Sequence, residues 1–208
     1  MSSETDLQIE LPSLPDGWCW KRLSDLADSA RGICYGIVQP GKHDAEGVPM
    51  INTGDIFDGE VADDVSFRVT QDLHSKFRRS TLRGGEVLVT LVGANFGRVA
   101  IAPSRFVGYN CSRAVGVVPV VDSEIDVRYA MFALRSPLCR HLMDTWANTT
   151  AQPTFNLKDL GNLPIPVPPR KIQKGISGFL GALDDRITLL RETNATLEAI
   201  AQALFKSW

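Results

Sequence analysis

The strongest constraint on this chain is a proline-alternating run, Leu163-Pro164-Ile165-Pro166-Val167-Pro168-Pro169, followed at once by a long heptad pattern. Alternating prolines remove backbone donors and force an extended chain, so the run cannot be helix. Pro169 can still serve as a first-turn residue of a helix on its C-terminal side. From Gln173 a seam falls at 173, 176, 180, 183, 187, 190, 194, 197, 201, 204 and 208, and nine of these eleven residues are apolar. No proline interrupts it. Five heptads of this kind are coiled-coil periodicity rather than simple amphipathicity. The 39 residues from Arg170 would span about 58 Å as helix. A domain of the preceding ~165 residues is about 35–40 Å across. The helix is therefore expected to project beyond that domain or to lie on a partner.

Gly175, Gly178 and Gly181 weaken the first turns by up to about 1 kcal/mol each and could admit close backbone packing. Asn194 takes an a position, where a polar residue fixes register at some cost in stability. The residues expected to meet a partner helix are Ile176, Leu180, Leu183, Ile187, Leu190, Asn194, Leu197 and Leu204. A C-terminal helix folded back on its own domain is the competing reading.

With 208 residues, the chain has room for one domain and an appendage. Its 44% hydrophobic content excludes wholesale disorder. No stretch approaches the ~18–20 uninterrupted apolar residues of a membrane helix. Glu4, Asp6 and Glu10 are the wrong start for a secretory signal, so a cytoplasmic location is expected. Cys19, Cys34, Cys111 and Cys139 form no CxxC pair, which argues against disulfides and zinc and for buried free thiols.

A net charge of −2 argues against a polyanionic partner, but its distribution does not. Residues 1–67 hold 13 acidic and 4 basic side chains, a balance of −9. Residues 68–113 hold eight basic side chains against Asp72 and Glu86, a balance of +6. Because salt screens charges beyond about 8–10 Å, a local basic field can bind phosphates on an acidic chain. The bland alternative is a solvated basic surface.

Along the chain, Trp18 to Leu23 alternates like a strand, with Ser24 as the cap of a short helix. Met50 to Ile56 reads as a strand running into a turn, and residues 70–80 as a short polar helix with a basic end. Glu86–Val92, Arg98–Ala102 and Cys111–Val121 read as strands separated by glycine turns. Val127–Ser136 and Leu138–Trp146 read as helices packed on them. The turn Gly93-Ala94-Asn95-Phe96-Gly97 presents an amide and an aromatic just before Arg98. Arg can read guanine or grip a phosphate, and Asn can read adenine; the glycines could equally serve a hairpin alone. Thr149, Thr150 and Gln152 lie in a polar loop that could meet a nucleic acid or merely connect.

No phosphate-binding loop, dinucleotide fingerprint, nucleophile elbow or zincin motif is present. The acids between Asp55 and Asp64 sit in glycine-rich loops with no basic residue between Lys42 and Arg68, unlike a metal-dependent nuclease site. The reading is no catalytic residue and no metal ligand.

Leu163–Pro169, Leu183-Asp184-Asp185-Arg186-Ile187 and the run from Thr196 to Leu204-Phe205-Lys206-Ser207-Trp208 together resemble the specificity (S) subunit of type I restriction-modification systems. Leu14-Pro15-Asp16-Gly17-Trp18, Ile51 to Ile56 and the Gly84–Ala102 block are similar to that family's target recognition domain. The resemblance implies a mixed α/β target recognition domain, with a mainly antiparallel curled sheet and helices, followed by a long coiled-coil spacer helix. The expected organisation is a flexible lead-in at 1–11, the recognition domain at 12–165, and a proline hinge with spacer helix at 166–208.

The resemblance implies that the recognition domain reads half of a split double-stranded DNA site. It also implies that modification subunits supply methylation with S-adenosylmethionine, and that a restriction subunit supplies ATP-driven cleavage with magnesium. This chain itself is expected to need no cofactor. The family pattern pairs two recognition domains and two antiparallel helices; this chain carries one of each, as a half-subunit or the N-terminal half of a longer protein. It also carries Arg170-Lys171-Ile172-Gln173, where the family has an acidic residue before the glutamine. An antiparallel homodimer is expected, with Arg191 meeting Glu198 of a second copy. The candidate DNA-facing residues are Lys76, Arg78, Arg79, Arg83, Asn95, Arg98, Arg105, Arg113, Thr149, Thr150 and Gln152. The rival readings are a scaffold that binds no DNA and a small self-sufficient nuclease or methyltransferase.

Overall fold

The proline run folds as a strand in the computed structural model, which describes residues 11–121, 123–147 and 155–207. The expected lead-in up to residue 10, the candidates Thr149, Thr150 and Gln152, and the terminal seam residue Trp208 lie outside the described residues. In chain order the regular elements are β1 (Cys19–Arg22), β2 (Cys34–Tyr35), β3 (Val48–Ile51), β4 (Arg68–Val69) and α1 (Gln71–Lys76). Next come β5 (Val87–Thr90), β6 (Val99–Ile101), β7 (Asn110–Cys111), β8 (Val115–Val118) and α2 (Val127–Leu134). The last are α3 (Pro137–Ala147), α4 (Leu157–Asn162), β9 (Pro164–Val167) and α5 (Arg170–Lys206). The architecture is the expected mixed α/β domain with a long C-terminal helix.

A four-stranded antiparallel sheet, ordered β2-β8-β5-β6, forms the centre. The inner position of β5 explains why Val87-Leu88-Val89-Thr90 reads as a continuous apolar run rather than an alternating one. Successive side chains point to opposite faces, and both faces are covered. Val87 and Val89 pack with the helical layer of Tyr129, Met131, Leu134 and Met143. Leu88 faces Ile51, Ile56, Phe106 and Val117 on the other side.

The stretch from Cys111 to Val121 is not the single strand its valines suggest. Its start belongs to β7, which runs parallel to β3 in a second sheet ordered β4-β3-β7. After Ser112–Ala114 the chain crosses to the central sheet as β8. Ser24 caps no helix either: Leu23–Leu26 is a 3-10 turn without a side-chain cap, and Leu23 and Leu26 plug the core.

β9 pairs antiparallel with β1, so Pro164 to Val167 is held across from Arg22 to Cys19. Prolines fit there because the pairing is only two strands wide, and edge positions do not demand every donor. Ile165 and Val167 are buried, and Tyr129 donates its hydroxyl to the Pro166 carbonyl at 2.6 Å. The expected boundary between residues 165 and 166 thus falls inside a strand that ties both ends of the domain together.

Helix α5 has two working faces. Gln173, Ser177 and Gly181 are buried against the domain, with Asp184 and Thr188 continuing the same side. Gln173 therefore belongs to the docked face rather than to a partner seam. Its Oε1 accepts the Asp126 N–H at 2.8 Å and its Nε2 donates to the Pro168 carbonyl at 2.9 Å. The apolar seam lies about a third of a turn away at 100° per residue. Ile176 packs partly on the core and Leu180 is half-buried; Leu183, Ile187, Leu190, Asn194, Leu197 and Leu204 are exposed. From Leu189 to Ser207 every residue is exposed, so the helix is neither folded back nor free along its whole length. Among the described residues no helix is long and apolar enough to cross a membrane.

Candidate nucleic-acid interface

Four of the basic candidates lie on the short stretch from Thr70 to Arg83. Thr70 starts α1 by accepting the Leu73 N–H at 3.3 Å, and a 3-10 turn at Arg78–Ser80 follows. Such a short helix has little stability of its own. Two buried polar side chains from elsewhere hold it.

The fully buried Asn110 accepts the Ser80 hydroxyl at 2.7 Å and the Cys111 N–H at 2.9 Å. Its amide nitrogen donates to the Phe77 carbonyl at 3.2 Å and faces His74 Nδ1 at 3.3 Å. Burial, then the nearby Arg78 charge, lowers the His74 pKa below its ordinary value. The buried Arg31 donates to the carbonyls of Arg79 at 2.8 Å and Thr81 at 2.7 Å, and to Glu86 at 2.5 Å. Arg79 returns the contact, donating to the Arg31 carbonyl at 2.8 Å.

This bracing presents Lys76 and Arg78 outward, exposed and with no hydrogen bond or ion pair among the described residues. They border a groove of about 420 Å³ whose walls include Tyr35, Phe77, Arg79 and Leu157. Tyr35 accepts the Leu157 N–H through its hydroxyl at 3.2 Å, which joins the groove to the start of α4. A basic rim beside an aromatic floor suits a phosphate backbone or a base face.

The other candidates are not gathered at this groove. Arg83 is exposed, with its backbone N–H on Glu86. Arg113 is exposed, beside the Ile37 bridge. Arg105 pairs with Asp63 and lies over the Phe106 ring. The glycine turn is a β5–β6 hairpin, with Gly93 and Gly97 at φ 87° and 74°. Asn95 donates to the Thr53 carbonyl at 3.0 Å, and Arg98 donates to the Ile56 carbonyl at 3.0 Å while stacking near Phe57. Both side chains therefore fasten the 53–57 loop to the hairpin.

Three of the acids from Asp55 to Asp64 are likewise structural, while Asp63 and Asp64 are exposed. Asp55 accepts the Asn52 N–H, Asp58 accepts the Val99 N–H, and Glu60 takes the Thr188 hydroxyl. Among the described residues, no group of three or more His, Cys, Asp or Glu side chains is placed to hold a metal ion. Burial raises the thiol pKa of Cys34, and raises that of Cys139 to about 11, leaving both thiols protonated at neutral pH.

Sequence reasoning missed Arg31, Asn110, Arg128 and Arg135. Arg128 and Arg135 had a signal: seven residues apart, one in the first turn of α2 and the other at its C-cap, they fall on the same side of that helix. Arg31 and Asn110 had none, because nothing local marks a polar residue for burial.

The family model for the type I restriction modification DNA specificity domain matches residues 15–199. The specificity subunit of the type I restriction enzyme EcoBI from Escherichia coli is 29% identical over 204 residues, covering 91% of this chain and 42% of that protein. The corresponding HindI subunit from Haemophilus influenzae is 26% identical over 196 residues, covering 91% and 40%. The crystal structure of the HsdS subunit from Thermoanaerobacter tengcongensis superposes with a TM-score of 0.63 at 20% identity, over 88% of this chain and 46% of that one. The chain thus spans less than half the length of the curated relatives it matches.

Proposed function

The chain belongs to the type I restriction-modification DNA specificity family, and we propose on that footing that it is a non-catalytic unit reading one half of a bipartite double-stranded DNA site. The observation that carries this reading is the family match itself, which runs through the recognition domain and into α5. The braced segment bearing Lys76, Arg78 and Arg79 supplies the positive rim for the duplex. Thr149, Thr150 and Gln152, which come after α3 and before α4 in the chain, belong to the same proposal.

Helix α5 sets the distance between half-sites. Its docked face and its exposed seam are separate, so one copy can hold its own domain and a partner helix at once. The partner is a second copy in antiparallel arrangement, or a second helix of a longer chain. Asp184 is engaged by its own domain, while Arg191 and Glu198 are free to cross-pair. Modification and restriction subunits then bring S-adenosylmethionine, ATP and magnesium, and the complex works in the cytoplasm.

The test is methylation-site sequencing of DNA modified by this chain with its modification subunit, alongside mobility shifts across a salt series. A bipartite methylated motif and a steep salt dependence are the expected results. Absence of duplex binding at low salt would favour a scaffold without DNA contact. Methylation or cleavage by the purified chain alone would make it an enzyme.

A further inference from the structure

Beyond Ser177, the docked face of α5 is held to the domain by charge rather than by apolar packing. Arg128 donates to Asp185 at 2.7 Å, and Arg135 donates to Asp184 at 2.5 Å. Thr188 donates its hydroxyl to Glu60 of the 55–61 loop.

Two glycines make this clasp possible. A Cβ on Gly181 would lie 2.8 Å from the Arg128 guanidinium carbon. One on Gly59 would lie 3.1 Å from the Arg135 guanidinium and 3.3 Å from the Asp184 carboxylate. Beside the ion pairs is a cleft of about 710 Å³, with Phe57, Ile101 and Met131 on the domain side and Ile187 and Arg191 on the helix side. Among the described residues, no apolar side chain of α5 beyond Ile176 packs on the core, so the ion pairs border this open cleft rather than a packed apolar cluster.

We propose that Arg128 and Arg135 are positioning residues for half-site spacing: by gripping Asp185 and Asp184 they set the angle at which α5 leaves the recognition domain. This rests on the reading of α5 as a spacer. From Gly181 to Lys206 the helix runs about 38 Å at ~1.5 Å per residue. A tilt of about 10° at the clasp moves its tip by about 6–7 Å, close to two base-pair steps of ~3.4 Å. Small changes at the clasp are thus large at the far half-site. Because the Arg128 pair is substantially exposed, the angle also loosens as salt rises.

The experiment uses the full chain with Cys19→Ser, Val107→Cys and Thr196→Cys. These place spin labels on the domain and on the projecting helix, diluted into unlabelled chain so that only intrachain distances are read. In Arg128→Ala/Arg135→Ala the distance distribution should widen about twofold, with half-site affinity held within about twofold. Preference for the best spacer length over one base pair longer should fall about fivefold or more. Exchanging the charges, Arg135→Asp with Asp184→Arg, should recover much of both. An unchanged distribution with unchanged spacer preference in a parent that binds DNA overturns the clasp alone. A half-site affinity lost in step with spacer preference also overturns it, since the arginines would then act on recognition itself. A parent that binds no duplex overturns the functional reading, and the spacing role with it.

Discussion

Arg31 and Glu86 form an ion pair at 2.5 Å with only 5% and 3% of their side chains exposed, and the basic segment is built around it. Arg31 reaches past the carboxylate to the Arg79 and Thr81 carbonyls, while the same Glu86 oxygen also accepts the Arg83 N–H at 2.7 Å. Among the described residues, the second Glu86 oxygen and the Thr81 hydroxyl are buried without a partner. The side-chain bonds that the pair makes outside itself end on the backbone of Arg79, Thr81 and Arg83, the segment that carries candidate DNA-facing side chains.

Removing the carboxylate leaves a guanidinium buried without its counter-ion. Glu86→Ala should destabilise the fold by about 3–5 kcal/mol, as for other broken buried pairs. Glu86→Gln should cost less because it keeps an acceptor for Arg83. Urea unfolding monitored by circular dichroism measures both; a loss below about 1 kcal/mol for Glu86→Ala would mean that water reaches the site.

Arg78 and Arg98 should separate cleanly. Arg78 is exposed and unbonded, so Arg78→Ala should leave the melting temperature alone, weaken duplex binding severalfold and lower the salt slope by about 1. Arg98 bonds the Ile56 carbonyl, so Arg98→Ala should cost about 1–2 kcal/mol of stability before any effect on DNA is counted. Fluorescence anisotropy and thermal melts on both variants decide it; an Arg98→Ala chain of native stability with lost binding would return Arg98 to the duplex.

His74 gives the basic segment a pH dependence. Its pKa is lowered in the fold, chiefly by burial, so the unfolded chain takes up the proton first as pH falls. The associated stability is therefore complete above the ordinary histidine value of about 6.5 and declines as pH drops from there through the lowered value. Protonation also sets a donor at Nδ1 against the Asn110 amide nitrogen. Amide exchange in residues 71–80 should accelerate on acidification across that window, and His74→Gln should flatten the response. A His74 titration at or above 6.5 by NMR would contradict this sign.

The exposed seam should associate. Light scattering at tens of micromolar should give a dimer, and Leu190→Asp should return the monomer with an unchanged recognition domain. Burying several large apolar side chains at about 25 cal/mol per Å² is ample for such association. A monomeric mass for the parent chain would leave the seam for a different helix.

The sequence alone was enough for several features that depend on local pattern. The heptad run determined a long helix that its own domain could not cover, and the prolines determined an extended entry to it. Gly93 and Gly97 determined a hairpin. These features come from backbone sterics and periodicity, which act within a few residues.

What only the tertiary structure decided is where polar groups went. The proline run pairs with Cys19–Arg22, about 145 residues earlier, a register no local signal carries. Gln173 lies on the heptad yet faces Asp126, because a part-buried N–H needed an acceptor more than a partner helix needed a knob. The basic block from 68 to 113 reads as one field in sequence, and the fold divides it. Lys76 and Arg78 point outward, Arg79 and Arg98 bind carbonyls, and Arg105 pairs with Asp63. A charge count cannot tell these apart, since an arginine's destination is set by which carbonyls and carboxylates the folded chain brings within about 3 Å of it.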